Sequence, residues 1–153
     1  MHSMRRKDRQ LEANEIKDIL QKNKYGVLST IGEDGYPYGV PLTYIYEDEK
    51  IYFHCAVEGH KLENISFSNK VSFCVVCDTE ILPEQFSTRY QSVIAFGEIK
   101  ELSENDKENI LRKVVEKFSP DFLEKGANYI QAAKERARVF ELKIEHITGK
   151  SRK

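Results

Sequence analysis

The chain has no tryptophan, only three cysteines and no long apolar run. A mean hydropathy of -0.57 argues against a hydrophobic helix that crosses a membrane. The 24 basic and 25 acidic residues leave a net charge of -1, which lacks the basic excess of a general nucleic-acid binder. With 40% hydrophobic residues, the chain is expected to form one compact domain over residues 1–153, of which residues 1–10 form a basic N-terminal arm.

The cysteines predict neither a disulfide framework nor a metal site. Their number is odd, and Cys74 and Cys77 lie within a strand-like run, where a spacing of three sends the two sulfurs to opposite faces. No second cysteine pair completes a zinc site, and His54 and His60 lack a ligand partner at helical spacing. We therefore expect buried structural thiols and no bound metal. Without an apolar stretch near Met1, we expect a cytoplasmic location.

Three common catalytic motifs are also missing from the sequence. It contains no G-x-G-x-x-G, no Walker A sequence and no G-x-S-x-G. The first two bind dinucleotides and nucleoside triphosphates, and the third marks α/β-hydrolases. These absences remove support for all three classes.

Hydrophobic periodicity predicts an α+β fold with a six-stranded antiparallel β-barrel and short peripheral helices. Helical spacing appears after Asn14, an expected cap, and Ser103 with Asp106 has the spacing of a capping box. His146 shares the alternation of its strand and is expected to face the core, and Gly97 is expected to bend a strand. Strands are predicted at 25–31, 38–46, 50–56, 70–78, 87–101 and 138–147, helices at 13–24, 58–68, from 103 and at 119–136, and a loop at 81–86.

Two places break the expected pattern of strands and helices. Gly39 and Pro41 interrupt a strand, which is typical of an edge or a bulge and also of backbone that a flat ligand can approach. Lys61 and His60 stand at a helix start, where a cation is unfavourable unless an anion binds to the free N–H groups. A solvated lysine and a capping histidine explain the second pattern equally well, so both interpretations stay open.

Several motifs occur together in a recognisable order, at residues 4–9, 35–42, 51–56, 59–61 and 92–97. In combination they resemble the pyridoxamine 5′-phosphate oxidase-related flavoproteins, in particular the nitroimidazole-resistance (Nim-type) branch, from Met4 to the 148–150 tail. The oxidases proper bind their vitamin substrate through C-terminal tryptophan and arginine motifs. Because this chain has no tryptophan, pyridoxamine-phosphate oxidase activity is not expected.

The resemblance implies a split barrel that binds flavin mononucleotide (FMN), with FAD as the alternative, at the interface of a homodimer. It implies His60 as the residue near the reactive face of the flavin and Lys61 as the phosphate contact. Tyr90 and Ser92 are expected to come from the partner subunit. The residues expected to bind the cofactor are Tyr38, Val40, Pro41, Leu42, His54, Cys55, Lys61, Asn64, Tyr90 and Ser92.

The activity implied by the resemblance is an FMN-dependent, nitroreductase-like oxidoreductase. It would reduce small acceptors, nitroimidazole nitro groups among them, with NAD(P)H as an electron donor. Partners would be a second copy of the chain and a small-molecule acceptor, with no nucleic acid and no membrane. Two alternatives remain: a flavin-binding protein without turnover, and a haem binder with His54, His60 or His146 as axial ligand.

Overall fold

A computed structural model describes residues 1–152, in which seven strands form one antiparallel sheet. The sheet order is β2-β1-β5-β6-β7-β4-β3, so β2 and β3 are edge strands and the barrel is not closed. The strands are β1 (Tyr25–Ile31), β2 (Pro37–Thr43), β3 (Ile45–Glu47), β4 (Lys50–Cys55), β5 (Lys70–Leu82), β6 (Ser87–Glu101) and β7 (Arg138–Arg152).

Helices pack against this sheet from its ends and from one side. Within residues 1–152 there are four α-helices, and none is long and apolar enough to cross a membrane. The helices are α1 (Ala13–Lys22), α2 (His60–Phe67), α3 (Glu104–Phe118) and α4 (Leu123–Ala133), with 3-10 turns at Lys7–Arg9, Pro83–Gln85 and Pro120–Phe122. The predicted α+β class and antiparallel sheet are therefore confirmed.

The predicted strand count of six is wrong by one because Tyr44 divides the run at 38–46. Its N–H donates to the Lys24 carbonyl, and its hydroxyl donates to the Leu20 carbonyl at 2.7 Å. These bonds turn the chain inward, and the ring is buried edge-on against Phe73. Alternation alone could not show this break, since Tyr44 continues the apolar pattern.

The segment 81–86 was predicted to be a loop, but its first part is strand. β5 continues through Ile81 and Leu82, which pair with Thr88 and Ser87 on β6. A bulge between Cys77 and Glu80 precedes this extension. β7 is also longer than predicted, because its last residues pair with the start of β6, down to Tyr90 opposite Arg152.

Gly97 marks a bulge, as its position in the strand predicted. The pairing between β6 and β7 shifts there, from Phe96 opposite His146 to Gly97 opposite Ile144. This shift reverses the alternation of β7, so His146 lies beside Phe96 on the outer side, with ring centroids 6.1 Å apart. The prediction that His146 faces the core is therefore wrong.

Two apolar clusters hold the molecule together. The larger fills the barrel around Leu28, Phe53 and Phe73, all nearly inaccessible to solvent. The smaller joins α3 and α4 to β7 through Leu111 and Val139. Burial of a large apolar side chain contributes about 1.5–3 kcal/mol, so these two clusters stabilise the packing of the sheet and the helices.

Two predicted helix caps differ in the structure. α1 is capped by Glu12 rather than Asn14, in a capping box in which the Glu15 carboxylate accepts from the Glu12 N–H at 2.9 Å. Ser103 precedes α3 as expected, but its hydroxyl donates to the Asp106 carboxylate and makes no capping bond to the backbone.

Candidate functional site

A cavity of about 960 Å³ opens where the β1–β2 turn meets the start of α2. Gly32 and Asp34 line it from the turn, Gly59 and His60 from the helix start, and Arg138 from β7. The predicted anion-binding helix start therefore does face a cavity. Its size lies at the upper end of ordinary ligand pockets.

Backbone geometry leaves the start of α2 open on the cavity side. Gly59 has a φ of 147°, which L side chains rarely adopt, and an added Cβ would meet no atom within 4 Å. The N–H groups of Leu62 and Glu63 donate to the Gly59 carbonyl. The N–H groups of His60 and Lys61 precede this first helical bond, so they and the positive end of the helix dipole remain for an anion.

Asn64 anchors α2 to β1 beneath the cavity. Its amide is only 4% exposed and donates from Nδ2 to the Thr30 hydroxyl at 3.0 Å. The amide oxygen lies so close to Gly32 that a Cβ there would sit 2.6 Å away. Thr30, the partner of Asn64, was not predicted as a site residue. The one sign in the sequence was the alternation of β1, which places the Thr30 side chain on the inner face.

Tyr38 and His60 form an aromatic pair beside the cavity. Their ring centroids are 4.0 Å apart and their planes differ by 26°, so the rings are stacked. β2 supplies Tyr38 and α2 supplies His60, and the stack joins the two predicted parts of the site. The stacked pair offers a flat surface to a ligand, and one of its two rings, the His60 imidazole, can bind or release a proton.

The remaining predicted residues of β2 divide between its two faces. Val40 and Leu42 pack against the barrel core, whereas Pro41 points the other way and is exposed. β2 is an edge strand, which is where a proline is tolerated because it cannot donate to a ladder. The side chains of Pro41 and Val40 therefore cannot contact the same ligand, although the exposed backbone edge of β2 can contact one.

His54 and Cys55 point to opposite faces of β4, although both line the same cavity beside α4. Cys55 faces the barrel core, and burial raises its thiol pKa. His54 faces α4 and lines a second cavity of about 470 Å³ with Tyr129 and Arg136. Burial lowers the pKa of its imidazole, which favours the neutral ring. His54 therefore lies apart from the cavity at α2.

Tyr90 and Ser92 lie toward the opposite end of the sheet from α2. α2 leads into Lys70, which pairs with Glu98, whereas Tyr90 lies eight residues back along β6. At about 3.3 Å per residue this is a separation of about 26 Å. Hydrogen bonds from Lys150 and Arg9 lower the pKa of the Tyr90 phenol. One chain by itself does not bring these residues to the cavity.

The side of the sheet that carries Tyr90 and Ser92 also exposes a row of apolar residues. The ladder places Val27 beside Cys74, and Cys74 beside Ile94. Phe96 and Val76 flank this row, and none of the five is fully buried. We call this surface the outer sheet face: Val27, Cys74, Val76, Ile94 and Phe96.

Four carboxylates share the cavity with its few cationic groups. Glu33 and Asp34 lie in the turn, and Glu58 and Glu63 flank the helix start. Arg138 is already paired with Glu101 through two hydrogen bonds of 2.9 and 2.7 Å. An anion there consequently depends on the backbone N–H groups of the helix start rather than on an overall positive field, and the predicted Lys61 is not among the residues that line the cavity. Among residues 1–152, no cluster of three histidine, cysteine or carboxylate side chains could hold a metal.

The fold matches several solved structures. A candidate 5-nitroimidazole antibiotic resistance protein of Bacteroides thetaiotaomicron has a TM-score of 0.79 and 21% identity, over 92% of this chain and 85% of that chain. An FAD-binding protein of Mesorhizobium loti has a TM-score of 0.69 and 26% identity, over 95% and 98%. A flavocytochrome of Azotobacter vinelandii has a TM-score of 0.81 and 20% identity, over 99% and 73%.

A sequence model of one protein family covers most of the chain. It is the family described as pyridoxamine 5′-phosphate oxidase, and it matches residues 12–151. No curated protein sequence matches the chain. The match spans all seven strands and four helices among the described residues, apart from the last residue of β7, and includes the cavity at α2. The chain therefore belongs to the pyridoxamine 5′-phosphate oxidase family, as its motifs predicted.

Proposed function

We propose that the protein is an FMN-binding oxidoreductase that acts as a homodimer and reduces small flat acceptors such as nitroimidazoles. The observation that carries this proposal is the cavity of about 960 Å³ in which the open N-terminus of α2 lies beside the Tyr38–His60 stack. Membership of the oxidase family and the fold shared with the resistance protein support it.

The phosphate end of FMN fits the start of α2. The N–H groups of His60 and Lys61 point from a helix terminus, and the open Gly59 allows a ligand to approach the backbone. The Lys61 ammonium adds a charge at a point where it would otherwise weaken the helix. Asn64, held by Thr30, keeps the helix start in position against β1.

The ring end of the flavin fits the stacked pair and the β2 edge. Tyr38 restrains the His60 ring, and Gly39 and Pro41 leave an edge of β2 without bulky side chains. When bound, the flavin supplies the two-electron chemistry that no side chain can perform. The overall reaction is RNO₂ + NAD(P)H + H⁺ giving RNO + NAD(P)⁺ + H₂O, which balances in atoms and electrons.

His60 is the group that we assign to the proton in this reaction. It is the only titratable side chain of the stack with a ring nitrogen, and it is exposed to the cavity. A histidine can orient an acceptor oxygen and donate a proton to it near neutral pH. The stack with Tyr38 limits the orientations that the His60 ring can adopt.

The homodimer is proposed from the outer sheet face. Its apolar residues lack cover in one chain, and Tyr90 and Ser92 lie on the same side, far from the cavity of their own chain. Packing two outer sheet faces together would bury the apolar row and give these two residues to the partner's flavin. Exposed apolar surface of this kind commonly marks an interface.

A test of the cofactor begins with the purified protein. We expect a yellow protein that releases FMN on denaturation, identified by mass, and that oxidises NAD(P)H faster when a 5-nitroimidazole is added. Release of FAD would change the assigned flavin. Bound FMN without turnover would favour a flavin-sequestering protein, whereas a Soret band lost in a His54→Ala variant would favour a haem binder. A colourless protein that does not bind added flavin would contradict the proposal.

A second test separates the phosphate contact from the ring contacts. Replacing Lys61 by Gln is expected to raise the Kd for FMN roughly tenfold, about 1.4 kcal/mol, because a charge-assisted contact is lost. The matched control is riboflavin, which lacks the phosphate, and its Kd should stay unchanged. Fluorescence titration measures both. Equal losses for FMN and riboflavin would remove Lys61 from the phosphate site.

A further inference from the structure

The β5–β6 hairpin extends beyond the sheet as a two-stranded ribbon. β1 pairs with β5 only as far as Cys74, and β7 pairs with β6 only from Tyr90 onward. Within residues 1–152, residues 78–89 therefore form strand pairs only with one another. We call residues 78–89 the ribbon arm.

The ribbon arm is ordered, although a two-stranded ribbon is only marginally stable in water. Glu80 and Arg89 form a salt bridge of 2.5 Å across it, and Leu82 pairs with Ser87. A 3-10 turn closes the tip, where the Phe86 N–H donates to the Pro83 carbonyl at 3.2 Å. The arm thus holds its tip in a defined position.

The tip presents an aromatic ring to solvent in an unfavourable backbone conformation. Phe86 is 97% exposed and Ile81 is 70% exposed. Phe86 also has a φ of 48°, in the left-handed region that bulky residues rarely occupy. Such local strain costs of order 1–3 kcal/mol and persists where it serves a contact. A strained, fully exposed phenyl ring therefore points to a surface that covers it in the assembled protein.

The ribbon arm and the cavity lie at opposite ends of β5. The cavity residue Phe67 leads into Lys70 at the start of the strand, whereas the arm is formed by its end at Leu82. Thirteen strand residues span about 40 Å, so the arm cannot reach the cavity of its own chain. If two chains pack through their outer sheet faces with β5 strands running in opposite directions, each arm comes to the partner's cavity.

We infer that the ribbon arm covers the partner subunit's cavity, with Phe86 as the aromatic residue that limits acceptors to small flat molecules. This inference rests on the proposed homodimer. The cavity rim carries Val57 and Phe67, both more than half exposed in one chain. An apolar arm tip matches these residues, whereas packing arm beside arm leaves the rim open. The Glu80–Arg89 salt bridge and the pairing of Leu82 with Ser87 join the two strands of the arm.

The first test uses substitutions that leave flavin contacts intact. Phe86→Ser should raise KM for a 5-nitroimidazole roughly tenfold, the cost of one aromatic contact, with the Kd for FMN unchanged. Phe122→Ser is the matched control, because Phe122 is also an exposed phenylalanine but lies outside the arm. An unchanged KM in Phe86→Ser overturns the assignment of Phe86.

Mixed dimers then show whether the arm acts across the interface. Differently tagged His60→Ala and Phe86→Ser chains are purified together as heterodimers. If the arm covers the partner's cavity, one of the two sites has both native residues, giving half the wild-type kcat with the wild-type KM. If the arm acts on its own chain, each site lacks one residue and the wild-type KM is not recovered.

A cross-linking test needs no flavin and so separates the two proposals. In a chain carrying Phe86→Cys and Val57→Cys, with the partly exposed Cys74 and Cys77 replaced by serine, a short bis-maleimide should give a covalent dimer, and neither single variant in that background should do so. A covalent dimer from Phe86→Cys alone would place arm beside arm and overturn the inference. A dimer that does not cross-link in the double variant would overturn it too. Cross-linking in a protein that binds no flavin would support the inference that the arm covers the partner's cavity, but it would contradict the proposed oxidoreductase.

Discussion

His60→Ala removes one contact to the flavin ring but keeps the groups that hold the phosphate of FMN. The backbone N–H groups, Lys61 and the β2 edge all remain in His60→Ala, so the Kd for FMN should change less than threefold, about 0.7 kcal/mol. Loss of the proton donor should lower kcat for a 5-nitroimidazole roughly 10²-fold. Stopped-flow reduction of the acceptor measures this step, with Tyr38→Phe as the matched control that keeps the stack. Wild-type turnover in His60→Ala would exclude the assigned role.

His54 should make the fold sensitive to acid. Burial holds the pKa of its imidazole below the usual 6.5, and Arg136 lines the same cavity. The unfolded chain therefore binds a proton more readily than the folded one, so the stability contributed by neutral His54 falls as pH decreases through about 6.5. Urea unfolding at pH 7.5 and 5.5 should show a smaller loss in His54→Asn than in the wild type.

The matched control for the acid effect is His2→Asn, which changes an exposed histidine in the N-terminal segment. This variant should keep the pH dependence of the wild type. An identical acid sensitivity in His54→Asn would mean that other groups cause the loss. The same acid titration in the presence of FMN would show whether the His54 cavity and the α2 cavity are coupled.

Individual site residues were predictable from the sequence where local chemistry marks them. The helix start at His60 was predictable from the sequence, whereas the choice between an anion site and a solvated lysine with a capping histidine stays open from position alone. Thr30 was missed because its role depends on Asn64, which is 34 residues away. His54 and Cys55 were assigned to the flavin site with His60, but both line the cavity beside α4 and neither lines the cavity at α2.

At the scale of the elements, the β6–β7 bulge depends on one glycine. A Cβ on Gly97 would sit 1.9 Å from the Lys143 carbonyl oxygen, which is backbone and cannot move aside. Gly97→Ala should therefore lower the free energy of unfolding by about 3 kcal/mol or more. Gly39→Ala is the matched control, since its Cβ would meet the Val27 side chain at 3.2 Å and the Ser29 hydroxyl at 3.7 Å and should cost under about 1 kcal/mol. Urea unfolding compares them, and equal losses would contradict a role for the bulge.

The elements followed from the sequence where their pattern is local. β6 has the predicted bounds of 87–101, because its alternation is long and uninterrupted. The Tyr44 break, the extension of β5 into the ribbon arm and the reversal at His146 were not predictable. Each depends on a contact with a distant element: the Leu20 carbonyl for Tyr44, and strand pairing for the other two.

At the scale of the whole molecule, the sheet has two different sides. The inner side encloses the larger apolar cluster, whereas the outer side is covered by α3 and α4 only along β4 and β7 and is exposed at the outer sheet face. The alternation of the predicted strands shows which residues share a face of the sheet. It does not show which face is covered by helices or by a partner chain. The site shows the same limit: Tyr90 and Ser92 fit a cavity only if a second chain supplies them.

Phe96 offers the most direct test of this arrangement, because it lies on the outer sheet face and is 38% exposed. A carboxylate buried without a partner costs several kcal/mol, so Phe96→Asp should give monomers in sedimentation velocity. FMN should bind more weakly to these monomers, because the partner's contacts are lost. Phe122→Asp changes a phenylalanine outside this face and should stay dimeric. A dimeric Phe96→Asp variant that binds FMN normally would require a different interface and would separate the flavin site from the outer sheet face.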